Sequence, residues 1–244
     1  MYRLVIFDFD GTLADSGEWA ARALNRLAAR YGFRSVSDEE IAMLRGQDTR
    51  AVLRYLGIRA WKLPFIVKDM RRQMAEETPF IPLFEGTEAM LRSLVERGIA
   101  VALVSSNSED NVRRILGGDC AALIGCYECG ASVFGKKSKF RRVLRQTRAA
   151  NSEVICIGDE ARDIEAASGA GLASGAVTWG YATAEFLERQ RPTMLFGEMK
   201  EIAERLSTCD KHWRDGALNE GAAHIGNSNK SNSFNPGLRA EAAQ

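Results

Sequence analysis

Histidine is almost missing from this chain: of its 244 residues only His212 and His224 are histidine, and both lie near the C-terminal end. Everything upstream must do its chemistry without imidazole, which excludes Ser-His and Cys-His nucleophile pairs and histidine-ligated metal centres from that region. A surplus of one charge is missing too. Lys plus Arg number 33 and Asp plus Glu 32, so the basic footprint of a nucleic-acid binder is absent and a small-molecule partner is expected. No apolar run approaches the roughly 20 residues that span a bilayer; the longer ones, such as Ile99 to Val104, are strand-sized, and no membrane association is expected. The N-terminal apolar stretch is interrupted by Asp8 and Asp10, which a secretory signal does not tolerate. The five cysteines are irregularly placed in a chain long enough to fold without disulfides, which points to the reducing cytoplasm.

What is present is an alternation. Short apolar, β-branched runs at Leu4–Phe9, Ile99–Val104 and Val154–Ile157, and weaker ones at Ala121–Ile124 and Ala173–Val177, are each followed by turn residues and helical periodicity. Helices are expected at Thr87–Arg97, Glu109–Leu116, Lys139–Ala149 and Ile164–Ser168. Buried strands alternating with helices predict an α/β fold, a three-layer Rossmann-like parallel sheet with right-handed crossovers. One stretch breaks the pattern. From about Ser16 to Phe80 no strand is predicted, while Ala20, Ala23, Leu24, Leu27, Ala28 and Tyr31 share one helical face. This reads as a helical insertion, closed near Pro79, Pro82 and Gly86. The expected organisation is a core domain of 1–15 and 83–207, a helical cap of 16–82 and a polar, disordered tail of 208–244.

Ligands of open α/β sheets sit at the carboxyl ends of strands, and those ends carry the polar residues. The first strand runs into Asp8-Phe-Asp10-Gly-Thr12, the second into Ser105-Ser106-Asn107, and a later one into Asp159-Glu160-Ala-Arg-Asp163; between the last two, Gly135-Lys136 opens a helix. Carboxylates meeting at one rim repel unless a cation joins them, and without imidazole the implied ion is hard and oxygen-ligated, with Mg2+ the best fit. A lysine and a serine beside it supply fixed charge and a donor for phosphoryl oxygens. Asp8 would then attack phosphorus and form an aspartyl-phosphate. Each residue also has a plainer reading: the acids as helix caps or turn residues, Ser105 as the cap of the next helix, Asp163 as a first-turn acid, Lys136 as a solvated charge. Cys126 and Cys129 read as incidental thiols, and Trp179 and Tyr181 as packing residues.

The segment Asp8-Phe-Asp10-Gly-Thr12-Leu13 resembles the first motif of the haloacid dehalogenase-like hydrolase superfamily. Ser105 matches its second motif, Lys136 its third, and Asp159 with Asp163 its fourth, in the family's order. The resemblance covers roughly residues 1–207 and implies roles. Asp8 would be nucleophile and metal ligand. Asp10 would protonate the leaving alcohol, later activate water, and offer its carbonyl to the metal. Asp159 would complete the metal site, with Asp163 ordering the surrounding shell; Thr12, Ser105, Ser106 and Lys136 would hold the phosphoryl oxygens. The insertion is similar to the family's small helical cap, in which Arg45 and Arg50, with Asn107 from the core, are candidate substrate contacts. The nearest branch is the phosphoglycolate phosphatase-like one, implying hydrolysis of a phosphoglycolate-like or sugar phosphate ester. A proline often follows the third-motif lysine in relatives, whereas Lys137-Ser-Lys139 follows here, which keeps Lys139 open as the alternative. Glu160 replaces a small polar residue. Two other functions stay open: a phosphomutase of the same superfamily, and a receiver-like module phosphorylated on aspartate.

Overall fold

The structure is a computed structural model that describes residues 1–130 and 133–206; the expected tail and both histidines lie outside the described residues. The chain runs β1 (Leu4–Phe7), α1 (Gly17–Tyr31), α2 (Asp38–Leu44), α3 (Thr49–Tyr55), α4 (Leu63–Glu77), α5 (Thr87–Glu96), β2 (Ala100–Val104), α6 (Glu109–Ala122), β3 (Cys126–Glu128), α7 (Lys136–Thr147), β4 (Val154–Gly158), α8 (Ala161–Ala170), β5 (Ala173–Val177), α9 (Ala184–Arg189), β6 (Met194–Phe196) and α10 (Met199–Arg205). The strands form one parallel six-stranded sheet in the order β3-β2-β1-β4-β5-β6. The α/β sheet expected from the sequence is the observed fold.

β1 is central and buried at every position, as a parallel strand covered on both faces must be. Its alternate residues feed two cores. Val5 and Phe7 pack with Leu91, Leu94 and Leu103 on one face, Leu4 and Ile6 with Phe140, Val143 and Cys156 on the other. A third apolar cluster, around Leu27, Leu44, Leu56 and Ile66, lies wholly within the helical stretch after β1. That stretch contains no strand, as expected. The chain leaves and returns through paired passes: Asp15 N–H donates to the Pro82 carbonyl and Phe84 N–H to that of Leu13, both at 2.9 Å.

Several boundaries differ from expectation. The strand predicted at Ala121–Ile124 is instead helix through Ala122, and the strand comes later, at Cys126–Glu128. Gly117, at φ 72°, kinks α6 without ending it, and the chain resumes helix where a Gly-Gly pair reads as a stop. β1 ends at Phe7, not Phe9, because the N–H groups of Thr12, Leu13 and Ala14 all turn back onto the Phe9 carbonyl. α7 begins at Lys136 and α8 at Ala161, each three residues earlier than predicted; β6 and the helices flanking it had no prediction.

Strand register sets where the polar residues emerge. Phe7 lies level with Leu103 and Ile157 on its two neighbours. Asp8, Ser105 and Asp159 therefore leave the sheet at one edge, beside the point where the chain switches from one side of β1 to the other.

Candidate active site

Asp8 is buried at the end of β1, its backbone N–H fixed to the Ile157 carbonyl at 2.8 Å. Lys136, the first residue of α7, reaches it: Nζ lies 2.5 Å from Asp8 Oδ2 and 2.5 Å from Asp163 Oδ1. Lys139 instead pairs with Glu128 at 2.8 Å, so of the two candidate lysines Lys136 is the one at the site. The other oxygen of Asp163 accepts the Glu160 N–H at 3.1 Å. This residue both caps α8 and braces the lysine.

Asp159 is fully buried and gripped from two sides. Thr12 Oγ1 donates to its Oδ1 at 2.9 Å and the Tyr181 backbone N–H to its Oδ2 at 2.8 Å. Glycine is required around it. A Cβ on Gly11, which sits at φ +78°, would fall 2.3 Å from Asp159 Oδ2, and one on Gly180 would fall 2.3 Å from Asp159 Cβ. Thr12, expected beside a phosphoryl group, thus gives its single hydroxyl hydrogen to Asp159.

Asp10 is oriented separately. Ser16 Oγ donates to Oδ1 at 3.0 Å and Asn107 Nδ2 to Oδ2 at 3.2 Å. Behind Ser16 stands the Tyr181 hydroxyl at 2.8 Å. Tyr181, read first as a packing residue, is therefore tied to two site acids, to Asp159 through its amide and to Asp10 through Ser16 and its ring hydroxyl. Sequence reading missed both Ser16 and Tyr181; a backbone amide leaves no side-chain signature, and a serine eight residues after Asp8 resembles any helix cap. Trp179 Nε1 donates to the Thr12 carbonyl at 3.1 Å, so it too supports the loop.

Ser105 is fully buried, its Oγ accepting the Asn107 N–H at 3.0 Å. The cap of α6 is Ser108, not Ser105. Ser106 offers its carbonyl to Arg71 Nε at 2.7 Å. The two arginines of the insertion part company. Arg45 donates to the Gly180 and Tyr181 carbonyls at 3.1 and 3.0 Å, on the rim of a cavity of about 670 Å3 that reaches Asp10. Arg50 lies outside that lining, over the Phe134 ring and 3.8 Å from Glu165.

Oxygens of Asp8, Asp159 and Asp163 lie within 4.8 Å of one another. Around them Glu160 is paired with Arg162. Four carboxylates thus face two cations, Lys136 and Arg162, before Asp10 is counted. The excess and the all-oxygen donor set suit a hard divalent cation. Titration agrees. Burial pushes the Asp8 carboxyl up to about 6 despite the pull of Lys136. Burial, then Glu160, Asp8 and Asp163, hold Asp159 well above the usual carboxylate range. Burial would raise Asp163 as well, but Lys136 and Arg162 outweigh it and keep that residue low and ionised. Burial also raises Asp10, against the hydrogen bonds from Ser16 and Asn107, which leaves a carboxyl suited to carrying a proton. Asp8 and Asp159 are the acids whose charge lacks a full partner, and so the pair to which a cation adds most.

Comparison with known proteins fits this geometry. The family model for haloacid dehalogenase-like hydrolases matches residues 5–177. A phosphoglycolate phosphatase from Synechococcus elongatus is 28% identical over 204 residues, spanning 83% of this chain and 96% of that protein. The tyrosine-protein kinase PtkA of Mycobacterium tuberculosis is 26% identical over 197 residues, 79% of this chain and 68% of its own. Among solved structures, a predicted phosphatase from Clostridium acetobutylicum has a TM-score of 0.72 at 21% identity, covering 84% of this chain and 98% of that one; the likeness is one of fold.

Proposed function

The chain belongs to the haloacid dehalogenase-like hydrolase family, and from that premise we propose that this phosphatase hydrolyses a small-molecule phosphomonoester with Mg2+, through an aspartyl-phosphate on Asp8. One observation carries it: a buried carboxylate at the end of the central strand, ion-paired to Lys136 at 2.5 Å, with Asp10 two residues on and independently oriented. Asp8 and Asp159 hold the metal, which when bound neutralises phosphoryl charge and the repulsion between the acids.

Lys136 binds a phosphoryl oxygen and fixes Asp8 for in-line attack; Ser105, on the adjoining strand end, binds a second oxygen. Asp8 forms a bond to phosphorus as the ester P–O bond breaks, and protonated Asp10 gives its proton to the departing alkoxide. Asp10, now ionised, takes a proton from a water that attacks phosphorus, releasing inorganic phosphate and free Asp8. Asp163 positions Lys136, and Thr12 positions Asp159.

Residues 16–82 form a cap on a core of 1–15 and 83–207, a division supported by the separate apolar cluster of the insertion and by the paired passes at Asp15–Pro82 and Leu13–Phe84. Cap residues would then exclude water while the phospho-enzyme exists. A cytoplasmic enzyme agrees with the free thiols of Cys120, Cys126, Cys129 and Cys156.

The test is phosphate release from p-nitrophenyl phosphate and a metabolite panel including phosphoglycolate, with and without Mg2+. Asp8→Asn should lose about a thousandfold or more in kcat. Equal turnover by that variant removes Asp8 as nucleophile.

A further inference from the structure

The cavity of about 670 Å3 lies within the range of roughly 300–1,000 Å3 that receives drug-sized ligands, far more than a phosphorylated two-carbon acid fills. Its position is informative. It is lined by Asp10 rather than Asp8, that is, by the acid assigned to the leaving alcohol, so what it holds is the alcohol and not the phosphoryl group.

Most of what the helical insertion adds to the lining is apolar, including Trp19 and Leu24 of α1, Ile41 of α2, Val52 of α3, Met70 and Met74 of α4. Apolar side chains around a space lose the dispersion contacts of a filled core, and a carbon skeleton placed there restores them. The charged groups on the rim argue the same way. Arg45 donates to two backbone carbonyls, Arg162 pairs with Glu160, and Arg71 Nε donates to the Ser106 carbonyl. Against these arginines the lining sets Asp10, Asp15, Glu18, Asp38 and Glu160, so a ligand carboxylate would meet more acids than cations.

We infer that the substrate is a phosphomonoester whose alcohol carries a bulky, predominantly apolar group, seated between Trp19, Leu24, Val52 and Met70. The inference rests on the phosphatase assignment and narrows it to a substrate class. The Thr49 hydroxyl and the Gln47 amide, which also line the cavity, leave room for one or two polar substituents on that group, the usual pattern of a few polar points in an apolar site.

Two measurements test it on the full chain with Mg2+. The first compares kcat/KM for 1-naphthyl phosphate and phosphoglycolate; the second compares calorimetric affinities of their unreactive counterparts, 1-naphthylmethylphosphonate and 3-phosphonopropionate. The aromatic member of each pair should be favoured by at least about tenfold. Leu24→Lys and Val52→Lys, on different helices so that one folding failure leaves the other, should each cut that ratio by about tenfold or more. Preference for phosphoglycolate and its phosphonate, or ratios unchanged in both variants, overturns the inference. If neither ester is hydrolysed, the phosphatase assignment fails, and the phosphonate affinities still decide for or against the apolar occupant.

Discussion

Adding one methyl group at Gly180 perturbs the site without replacing any of its carboxylates. The alanine Cβ would lie 2.3 Å from Asp159 Cβ and 2.4 Å from the Gly11 carbonyl oxygen, inside the 3.0 Å below which something must shift. Neither obstacle is the loose end of a long side chain. Gly11 cannot retreat freely, because the Asp159 carboxylate stands where a Gly11 Cβ would lie, so Asp159 or the loop carrying Gly180 must move. Overpacking of this kind costs about 1–3 kcal/mol. At about 2–4 °C per kcal/mol for a domain of this size, Tm should fall by roughly 2–12 °C. The same movement disturbs the bonds from Thr12 and Tyr181 to Asp159, and loss of such supporting bonds costs about 10–100-fold in metal affinity. Thermal unfolding of Gly180→Ala across a Mg2+ titration reads both effects at once. Gly118→Ala is the control, since a Cβ there meets nothing within 4 Å, and it should stay within about 0.5 kcal/mol of wild type. A Gly180→Ala protein with unchanged Tm and unchanged Mg2+ dependence would refute the close packing of Gly11, Asp159 and Gly180.

Two other outcomes are expected. Ser16→Ala leaves Asp10 held by Asn107 alone; at about 1.5–3 kcal/mol for a hydrogen bond to a charged group, kcat should fall about 10–100-fold, measured by steady-state phosphate release, and a wild-type kcat would remove Ser16 from the positioning of the acid. The second concerns pH. The folded-state pKa of Asp8 stands above its ordinary 3.8, at about 6, so the fold binds more protons than the unfolded chain between those values and metal-free stability declines as pH rises through that window. Mg2+ must displace those protons. Its stabilisation should be full near neutral pH and shrink as pH falls through 6, and a Mg2+-induced Tm shift of constant size from pH 5 to 7.5 would contradict this.

Most of the candidate site was legible in the sequence because it is built of side chains at strand ends. Asp8, Ser105, Lys136 and Asp159 are each the first polar residue after, or the first basic residue before, a segment whose periodicity is unambiguous, and parallel pairing then brings them to one edge. The insertion was legible by contrast, as a long stretch of helical period between strands. What escaped notice has a common cause. The Tyr181 amide on Asp159, the Arg45 guanidinium on the Gly180 and Tyr181 carbonyls, and the Ser16–Tyr181 contact all join residues more than 130 positions apart or use backbone groups, and neither leaves a pattern in a local window. The displaced β3 has a different cause: Gly117-Gly118 reads as a helix end, yet the helix bends there and continues because Cys120 and Ala121 beyond it are buried in the main core.

Ser16 stands where α1 begins, yet its side chain forms no capping bond to that helix. A serine there normally contributes about 1 kcal/mol by accepting an N–H of the first turn; here the hydroxyl is given to Asp10 and shared with Tyr181. The first helix of the insertion and the Asp10 carboxyl are therefore geared to one another. Rotation of α1 about its start would turn Ser16 away and leave Asp10 held by Asn107 alone, so the proton delivery proposed for Asp10 would weaken whenever that helix is displaced.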